Sequence, residues 1–308
     1  MSDQPQASSV ASASYDQQPE TLPDLVQLQA RPTLFDPSST DAASAVPAAH
    51  IPATRVIAVI AEKGGVGKTT TAINLAAAFV EADQECLLID MDAQGGGATG
   101  ALGVRPPSAE RSVLAVLLGQ LPLSDVTVHT DSGVDLVPST FGLAGLAFMT
   151  DLAKEMRLSA ALSQLASPPV CPYSYIFIDC PPRLDVFSVN ALVAADAALI
   201  PIVPEPLPEF TLGDVFKAIR DVRLLRAGRG TLDIIGFVPN RVNRRRPALT
   251  RDVLGRLPAH ISVLTTIHDS AHISRAPRRG RTVFQVAPNS AAAEEYRQLS
   301  REVADGHR

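Results

Sequence analysis

Glu62-Lys63-Gly64-Gly65-Val66-Gly67-Lys68-Thr69 stands directly between an apolar, β-branched run, Val56 to Ala61, and an amphipathic stretch, Thr69 to Ala82. A strand that passes through glycines into a helix forms a phosphate cradle. The glycines let consecutive backbone N–H groups turn inward, and the helix N-terminus adds the positive end of its dipole. Lys68 is spaced to reach the β and γ phosphates and the Thr69 hydroxyl to ligate Mg²⁺. At ordinary residue frequencies GGxGKT arises by chance about once in 10⁶ windows, so the segment is read as a nucleoside triphosphate site. Gly64, Gly65, Val66, Gly67, Lys68, Thr69 and Thr70 are its expected binding residues.

The strict P-loop pattern would place a glycine at position 62, which holds Glu62, and an additional lysine, Lys63, precedes the glycines. A cation at the beginning of the loop cannot easily curl back onto the phosphates of its own chain. It is free to neutralise those of a nucleotide held by a second subunit, which implies a dimer formed around ATP.

Working outward, short β-branched runs alternate with longer amphipathic stretches from Arg55 onward, the pattern of βαβ units around a parallel sheet. Strands are expected at Val56 to Ala61, Cys86 to Met91, Val134 to Pro138, Tyr175 to Asp179, Ala197 to Val203, Ile234 to Val238 and Ile261 to Thr265. Helices are expected at Thr69 to Ala82, Leu152 to Leu165, Val186 to Ala194, Leu212 to Leu225, Ala248 to Leu257 and Ser290 to Val303. The fold class is therefore α/β, a doubly wound, mostly parallel sheet with helices on both faces. Residues 1–50 carry six acids against one base and no sustained period, and read as a disordered acidic tail ahead of a single domain over 51–308.

The 308 residues are 46% hydrophobic, enough to bury a large core. No apolar run reaches the roughly 18 residues of a membrane-spanning helix, and the amino terminus lacks the basic and apolar segments of a signal peptide. Cys86, Cys171 and Cys180 form no CxxC pair, so neither a disulfide scaffold nor a regular zinc site is indicated. A cytoplasmic location is expected. The net charge of −5 conceals an asymmetry: residues 241–281 carry ten arginines and two acids, a local excess suited to a polyanion.

Two further acidic strand ends belong to the same crevice. Asp90 and Asp92 follow the run Cys86 to Ile89, where a doubly wound sheet binds its ligand, and a carboxylate there can orient an attacking water. Tyr175 to Ile178 ends in Asp179-Cys180-Pro181-Pro182, which places Asp179 to hold Mg²⁺ through its water shell. Asn240, at the end of a later strand, offers an amide to a purine edge.

The segment KGGVGKTTTAINLA resembles the deviant Walker A motif of the ParA/MinD/Soj ATPases, the P-loop NTPases in which the additional lysine reaches across a nucleotide sandwich dimer. Asp90-Met91-Asp92-Ala93-Gln94 resembles the family's DxDxQG motif, and the Asp179 strand its Walker B strand. The resemblance covers about residues 55–305. It implies Lys63, Lys68 and Asp92 as catalytic residues, Asp92 positioning the water. It implies Asp90 as a support for metal or loop, Thr69 and Asp179 as metal residues, and Asn240 as the adenine contact. Gly95 to Gly97 departs from the family's usual continuation. So does Ile267 to Pro277, where related chromosomal proteins carry arginines.

The function implied is a ParA-like partitioning ATPase, with ATP and Mg²⁺ as cofactors and weak intrinsic turnover. Its ATP-bound homodimer would hold non-specific double-stranded DNA and be released when a ParB-like centromere-binding protein or cargo adaptor stimulates hydrolysis. The protein would then be nucleoid-associated. Arg244, Arg245, Arg246, Arg275, Arg278, Arg279 and Arg281, doubled by twofold symmetry, are the expected DNA contacts. The alternative is a MinD-like or cargo-positioning ATPase with a non-DNA cargo. A membrane switch would need a carboxyl-terminal amphipathic anchor, and Arg301 to Arg308 has almost no apolar face to insert. An amidating ATPase of the same fold would need a further substrate pocket.

Overall fold

The computed structural model describes residues 54–93, 97–105, 108–148, 153–166, 171–205, 210–226 and 230–306, so the expected acidic tail lies outside the described residues. The strands are β1 Arg55–Val59, β2 Cys86–Asp90, β3 Val128–His129, β4 Asp135–Val137, β5 Tyr175–Asp179, β6 Ala197–Ile202 and β7 Asp233–Pro239. They form one sheet in the order β3-β4-β2-β5-β1-β6-β7. Every neighbouring pair is parallel except β3 with β4, at the edge. The α-helices are α1 Lys68–Glu81, α2 Ala98–Ala101, α3 Val113–Leu117, α4 Leu123–Val126, α5 Arg157–Ser163, α6 Val186–Ala194, α7 Phe210–Arg226, α8 Pro247–Gly255, α9 Ala271–Arg275, α10 Val283–Val286 and α11 Ala291–Asp305.

The continuous apolar strands are explained by cover on both faces. Ile57 and Val59 of β1, with Leu88 and Phe177, pack against Leu75 and Phe79 of α1 and Tyr296 and Leu299 of α11. Their chain neighbours Val56 and Ala58 point the other way, into a core with Val116, Leu158, Leu192, Val215 and Ile219 from α3, α5, α6 and α7. At about 1.5–3 kcal/mol for each fully buried large aliphatic or aromatic side chain, these two layers dominate the stability of the sheet.

The chain passes from β1 to β2 by stepping over β5, and from β5 to β6 by stepping over β1. The connections therefore leave the sheet in opposite directions around β1, and the crevice opens beyond the carboxyl ends of β1, β2 and β5. Asp90 and Asp179, the last residues of β2 and β5, are direct register partners in adjacent strands, so topology brings together two acids 89 positions apart in sequence.

Two expectations are corrected, and one strand was not anticipated. Ile261 to Thr265 is not a strand: it meets β7 only through an isolated bridge between Val263 and Phe237. A side chain at Gly236 would collide with the Ser262 carbonyl, so the close approach depends on that glycine. The stretch Leu152 to Leu165 is broken, with the 3₁₀ turns Lys154–Met156 and Gln164–Ala166 flanking α5, and Leu152 itself lies outside the described residues. The antiparallel strand β3, only two residues long, carried no readable alternation.

Candidate functional site

Gly65 and Gly67 have φ angles of 76° and 93°, a left-handed conformation that side-chain-bearing residues rarely adopt. Gly67 caps the start of α1. A Cβ on it would overlap the amide of Asn240. That amide donates to the Val66 carbonyl at 3.0 Å and to Thr71 Oγ1 at 3.3 Å, while its oxygen accepts from the Arg241 N–H at 2.9 Å. Asn240 thus clips the glycine loop to the end of β7, and the buried Val66 side chain seats the loop against Ala61 and Val203.

Above the loop lies a cavity of about 420 Å³. Gly64, Gly65, Gly67, Lys68, Thr69 and Thr70 line it, together with Asp92, Cys180 and Pro182 and with Asn240, Arg241, His268, Asp269, Ser270 and Ile273. Lys68 is buried, with its ammonium 3.3 Å from the Lys63 carbonyl. Burial holds it below the ordinary lysine range, opposed by Asp179, Cys180 and Asp92. A phosphate chain would supply the missing negative charge.

Lys63 points elsewhere. Its ammonium meets Glu205 Oε2 at 2.8 Å on an exposed surface, and it does not line the cavity. Exposed pairs of this kind contribute at most about 1 kcal/mol, so Glu205 is easily replaced by a stronger anion.

Asp179 is fully buried, and neither of its carboxylate oxygens makes a hydrogen bond of ordinary geometry. Burial, then the neighbouring Asp90, raises its carboxyl well above the usual range, against the Thr69 hydroxyl and Lys68. An orphaned buried carboxylate beside the Thr69 hydroxyl, with Lys68 near enough for the phosphates, offers the oxygen donors a phosphate-bound Mg²⁺ requires, so these residues fit that ion.

Asp90 is occupied differently. Its Oδ1 accepts from the Asp92 N–H at 3.0 Å, and its Oδ2 from the Thr99 N–H at 2.8 Å and the Thr99 hydroxyl at 2.6 Å. Burial nevertheless lifts its carboxyl to about 6. Thr99 Oγ1 in turn accepts from the Ser139 N–H at 2.8 Å, and the Ser139 hydroxyl donates to the Asp92 carbonyl at 2.8 Å. This closed ring, Asp90 to Thr99 to Ser139 to Asp92, pins the backbone on both sides of the Asp92 side chain. Asp90 anchors the loop through both oxygens, whereas Asp179 keeps both of its own available. Replacing Thr99 with valine is expected to cost about 1–3 kcal/mol by leaving buried groups unsatisfied, read as a lower midpoint in urea. ATP turnover should fall with it. Unchanged stability would show that the ring does not hold the loop.

All seven arginines expected at DNA are exposed. They leave the chain from two segments next to cavity-lining residues: Arg244 to Arg246 follow Asn240 and Arg241, and Arg275 to Arg281 follow Ile273 and Ser274. Arg244 pairs with Glu295 at 2.9 Å. Sequence reasoning missed Thr99 and Ser139, whose hydroxyls carry no motif, and Arg241 and His268, which reach the cavity only through tertiary contacts. The unusual φ of Arg241, 53°, and its 3.0 Å bond to the Gly65 carbonyl have no sequence signature either.

A cradle of left-handed glycines at the end of the central strand, a buried lysine behind it and two acidic strand ends beside it define a P-loop nucleoside triphosphatase. Comparison with known proteins narrows the class. Residues 54–227 match the AAA domain family. The chain is 34% identical to the chromosome partitioning protein ParA of Caulobacter vibrioides, across 82% of this chain and 95% of that protein. It is 36% identical to the chromosome-partitioning ATPase Soj of Thermus thermophilus, across 81% and 95%. Among solved structures it resembles a cobyrinic acid a,c-diamide synthase from Mycobacterium smegmatis with bound ATP analogue and magnesium, at 31% identity and a TM-score of 0.68, covering 82% of this chain and 94% of that one. The chain belongs to the ParA/Soj family of partitioning ATPases.

Proposed function

We propose that this protein is an ATP-driven DNA-partitioning switch. ATP with Mg²⁺ occupies the cavity. Two chains then close face to face around their nucleotides, and the dimer holds duplex DNA through its arginines until a partner protein stimulates hydrolysis. The observation that carries this reading is the contrast between the two loop lysines. Lys68 is buried under the cradle, while Lys63 faces outward on a weak, exchangeable ion pair.

When bound, Mg²⁺ supplies positive charge to the phosphates and to the carboxylate layer. Thr69 and Asp179 are the residues that would hold it. Lys68 neutralises the phosphate chain, and the backbone N–H groups of Gly64 to Thr70 orient it. Asp92, fixed by the Asp90, Thr99 and Ser139 ring, orients water for attack on the terminal phosphorus. Asn240 keeps the loop in shape and leaves one lone pair of its amide oxygen for a base. Lys63, released from Glu205, meets the phosphates of the other subunit.

The DNA reading rests on seven exposed arginines per chain with few acids around them. The sequence between 241 and 281 offers only Asp252 and Asp269, and Asp252 is taken by Arg256 at 2.9 Å. Each phosphate neutralised releases counterions, so six to ten contacts make affinity fall by about 10³–10⁵ between 50 and 200 mM salt. Fluorescence anisotropy with an arbitrary duplex should show that steep fall with ATP and little binding with ADP or without nucleotide. Replacing Arg278, Arg279 and Arg281 together with alanine should flatten the salt dependence. Equal binding in all nucleotide states would refute the switch.

A synthase activity is the rival that the Mycobacterium smegmatis neighbour raises. It needs a second substrate beside the terminal phosphate, and a groove of about 660 Å³ between α6 and α7 borders the cavity through Pro182. Turnover stimulated by DNA with a partner protein supports partitioning, whereas turnover stimulated by a small molecule supports synthesis. Among the described residues no helix is long and apolar enough to cross a membrane.

A further inference from the structure

We propose that the acidic segment Asp3 to Asp41 docks on the arginine surface of its own chain, Arg244 to Arg246 and Arg275 to Arg281, and competes there with the phosphates of DNA. The competition rests on the DNA reading of those arginines, whereas the docking does not.

Charge selects the surface. Residues 1–50 hold Asp3, Asp16, Glu20, Asp24, Asp36 and Asp41 against Arg31 alone, and residues 241–281 hold ten arginines against Asp252 and Asp269. The rest of the domain has the opposite sign: residues 51–240 and 282–308 together carry 16 bases and 24 acids. An acidic segment is therefore repelled by most of the domain and attracted by one part of it. Within that part Asp252 already meets Arg256, and Arg244 meets Glu295. Among the described residues, Arg245, Arg246, Arg275, Arg278, Arg279 and Arg281 have no carboxylate partner.

The fold puts the two within reach. The Thr54 hydroxyl donates to the Tyr173 carbonyl at 2.7 Å, and Arg55 donates to the Val303 carbonyl at 2.8 Å, so the acidic segment joins the domain beside the last turns of α11. Near the start of the same helix, Glu295 accepts from Arg244 at 2.9 Å and from the His268 N–H at 3.0 Å. Val303 stands eight positions after Glu295, about 12 Å along a helix that rises 1.5 Å per residue. Asp41 precedes Thr54 by 13 positions, a length of chain that spans up to about 45 Å. Each of the six acids thus has enough chain to meet the arginines. A segment tethered in this way acts at an effective concentration of about 1 mM, so an intrinsic affinity of about 0.3 mM covers the surface about three-quarters of the time and weakens DNA binding about fourfold. Duplex DNA, with one charge per about 1.7 Å, is the denser polyanion and displaces the segment.

The test has two arms, both on the full chain. In the first, Asp3→Asn, Asp16→Asn, Glu20→Gln, Asp24→Asn, Asp36→Asn and Asp41→Asn are combined. With Mg²⁺ and a slowly hydrolysed ATP analogue, this variant should bind an arbitrary duplex about fourfold more tightly than wild type at about 50 mM salt, and the gap should narrow as salt rises. ATP turnover without DNA should be unchanged. Lost charge could also raise affinity from a distance, so the second arm locates the segment. A photoreactive benzoylphenylalanine in place of Phe35, next to Asp36, should cross-link without nucleotide to residues 241–281 of the same chain. The cross-link should disappear at about 1 M salt, where the screening length is about 3 Å, and when the six acids are neutralised. DNA affinity unchanged within about twofold, or cross-links that fall outside 241–281, reach a second chain or ignore the six acids, overturns the proposal. If neither protein binds DNA, the DNA reading fails together with the competition, while the cross-links still decide the docking.

Discussion

Asp92→Ala is expected to reduce ATP turnover by about 100-fold or more, the usual scale for losing a group that positions or activates the reacting water, while leaving nucleotide affinity nearly unchanged. Asp92 lines the same cavity as the Gly64 to Thr70 cradle but belongs to the loop after β2. Its backbone is held by Asp90 and Ser139, so removing the side chain leaves the loop in place. The consequence for a switch is a long-lived ATP state. The variant should accumulate as a dimer and remain on DNA at salt concentrations that release the wild type after hydrolysis. Phosphate release and DNA dissociation kinetics measure the two effects separately. Wild-type turnover in this variant would remove Asp92 from the mechanism. Lost turnover together with lost ATP binding would instead show that the residue builds the cradle.

The second large effect separates the two lysines of the loop. Lys68→Ala removes a buried ammonium from beneath the cradle, and truncating one partner of a desolvated charge pair costs about 2–5 kcal/mol. ATP affinity should fall by about a hundredfold or more. Lys63→Ala removes only an exposed pair with Glu205, so ATP affinity should stay within about threefold of wild type and the fold should be equally stable. ATP-induced dimerisation should nonetheless disappear, along with ATP-dependent DNA binding. Sedimentation with a slowly hydrolysed ATP analogue reads the first effect directly. A Lys63→Ala protein that still dimerises with ATP would show that the outward lysine has no partner phosphate to meet.

Most of the fold was legible because its signals are local. β1, β2, β5, β6 and β7 are near-continuous apolar runs, and strands covered on both faces leave that pattern in the chain. Val186 to Ala194 was bounded correctly because Asp185 caps it, accepting from the Phe187 and Ser188 N–H groups. The failures came where the deciding contact is remote. Ile261 to Thr265 has strand-like composition, but a strand needs a ladder, and only one bridge to Phe237 forms. The Leu152 to Leu165 stretch has a helical period, yet Asn190 takes up local backbone groups there, accepting from the Leu158 N–H and donating to the Lys154 carbonyl.

The same division runs through the site. The glycine loop, Lys68, Thr69 and the acids at the ends of β2 and β5 were readable because a phosphate cradle and a strand end are short, contiguous pieces of backbone whose residue types follow from their geometry. The chain alone could place Asp90 and Asp179 at strand ends. It could not say that one is saturated with hydrogen bonds and the other left without one of ordinary geometry, because Thr99, which holds Asp90, and Ser139, which holds Thr99, arrive through packing. His268, Glu295 and Arg244 likewise become one cluster only when α11 docks beside β7, since a side chain's partners across long sequence separations are set by how the layers close over the sheet.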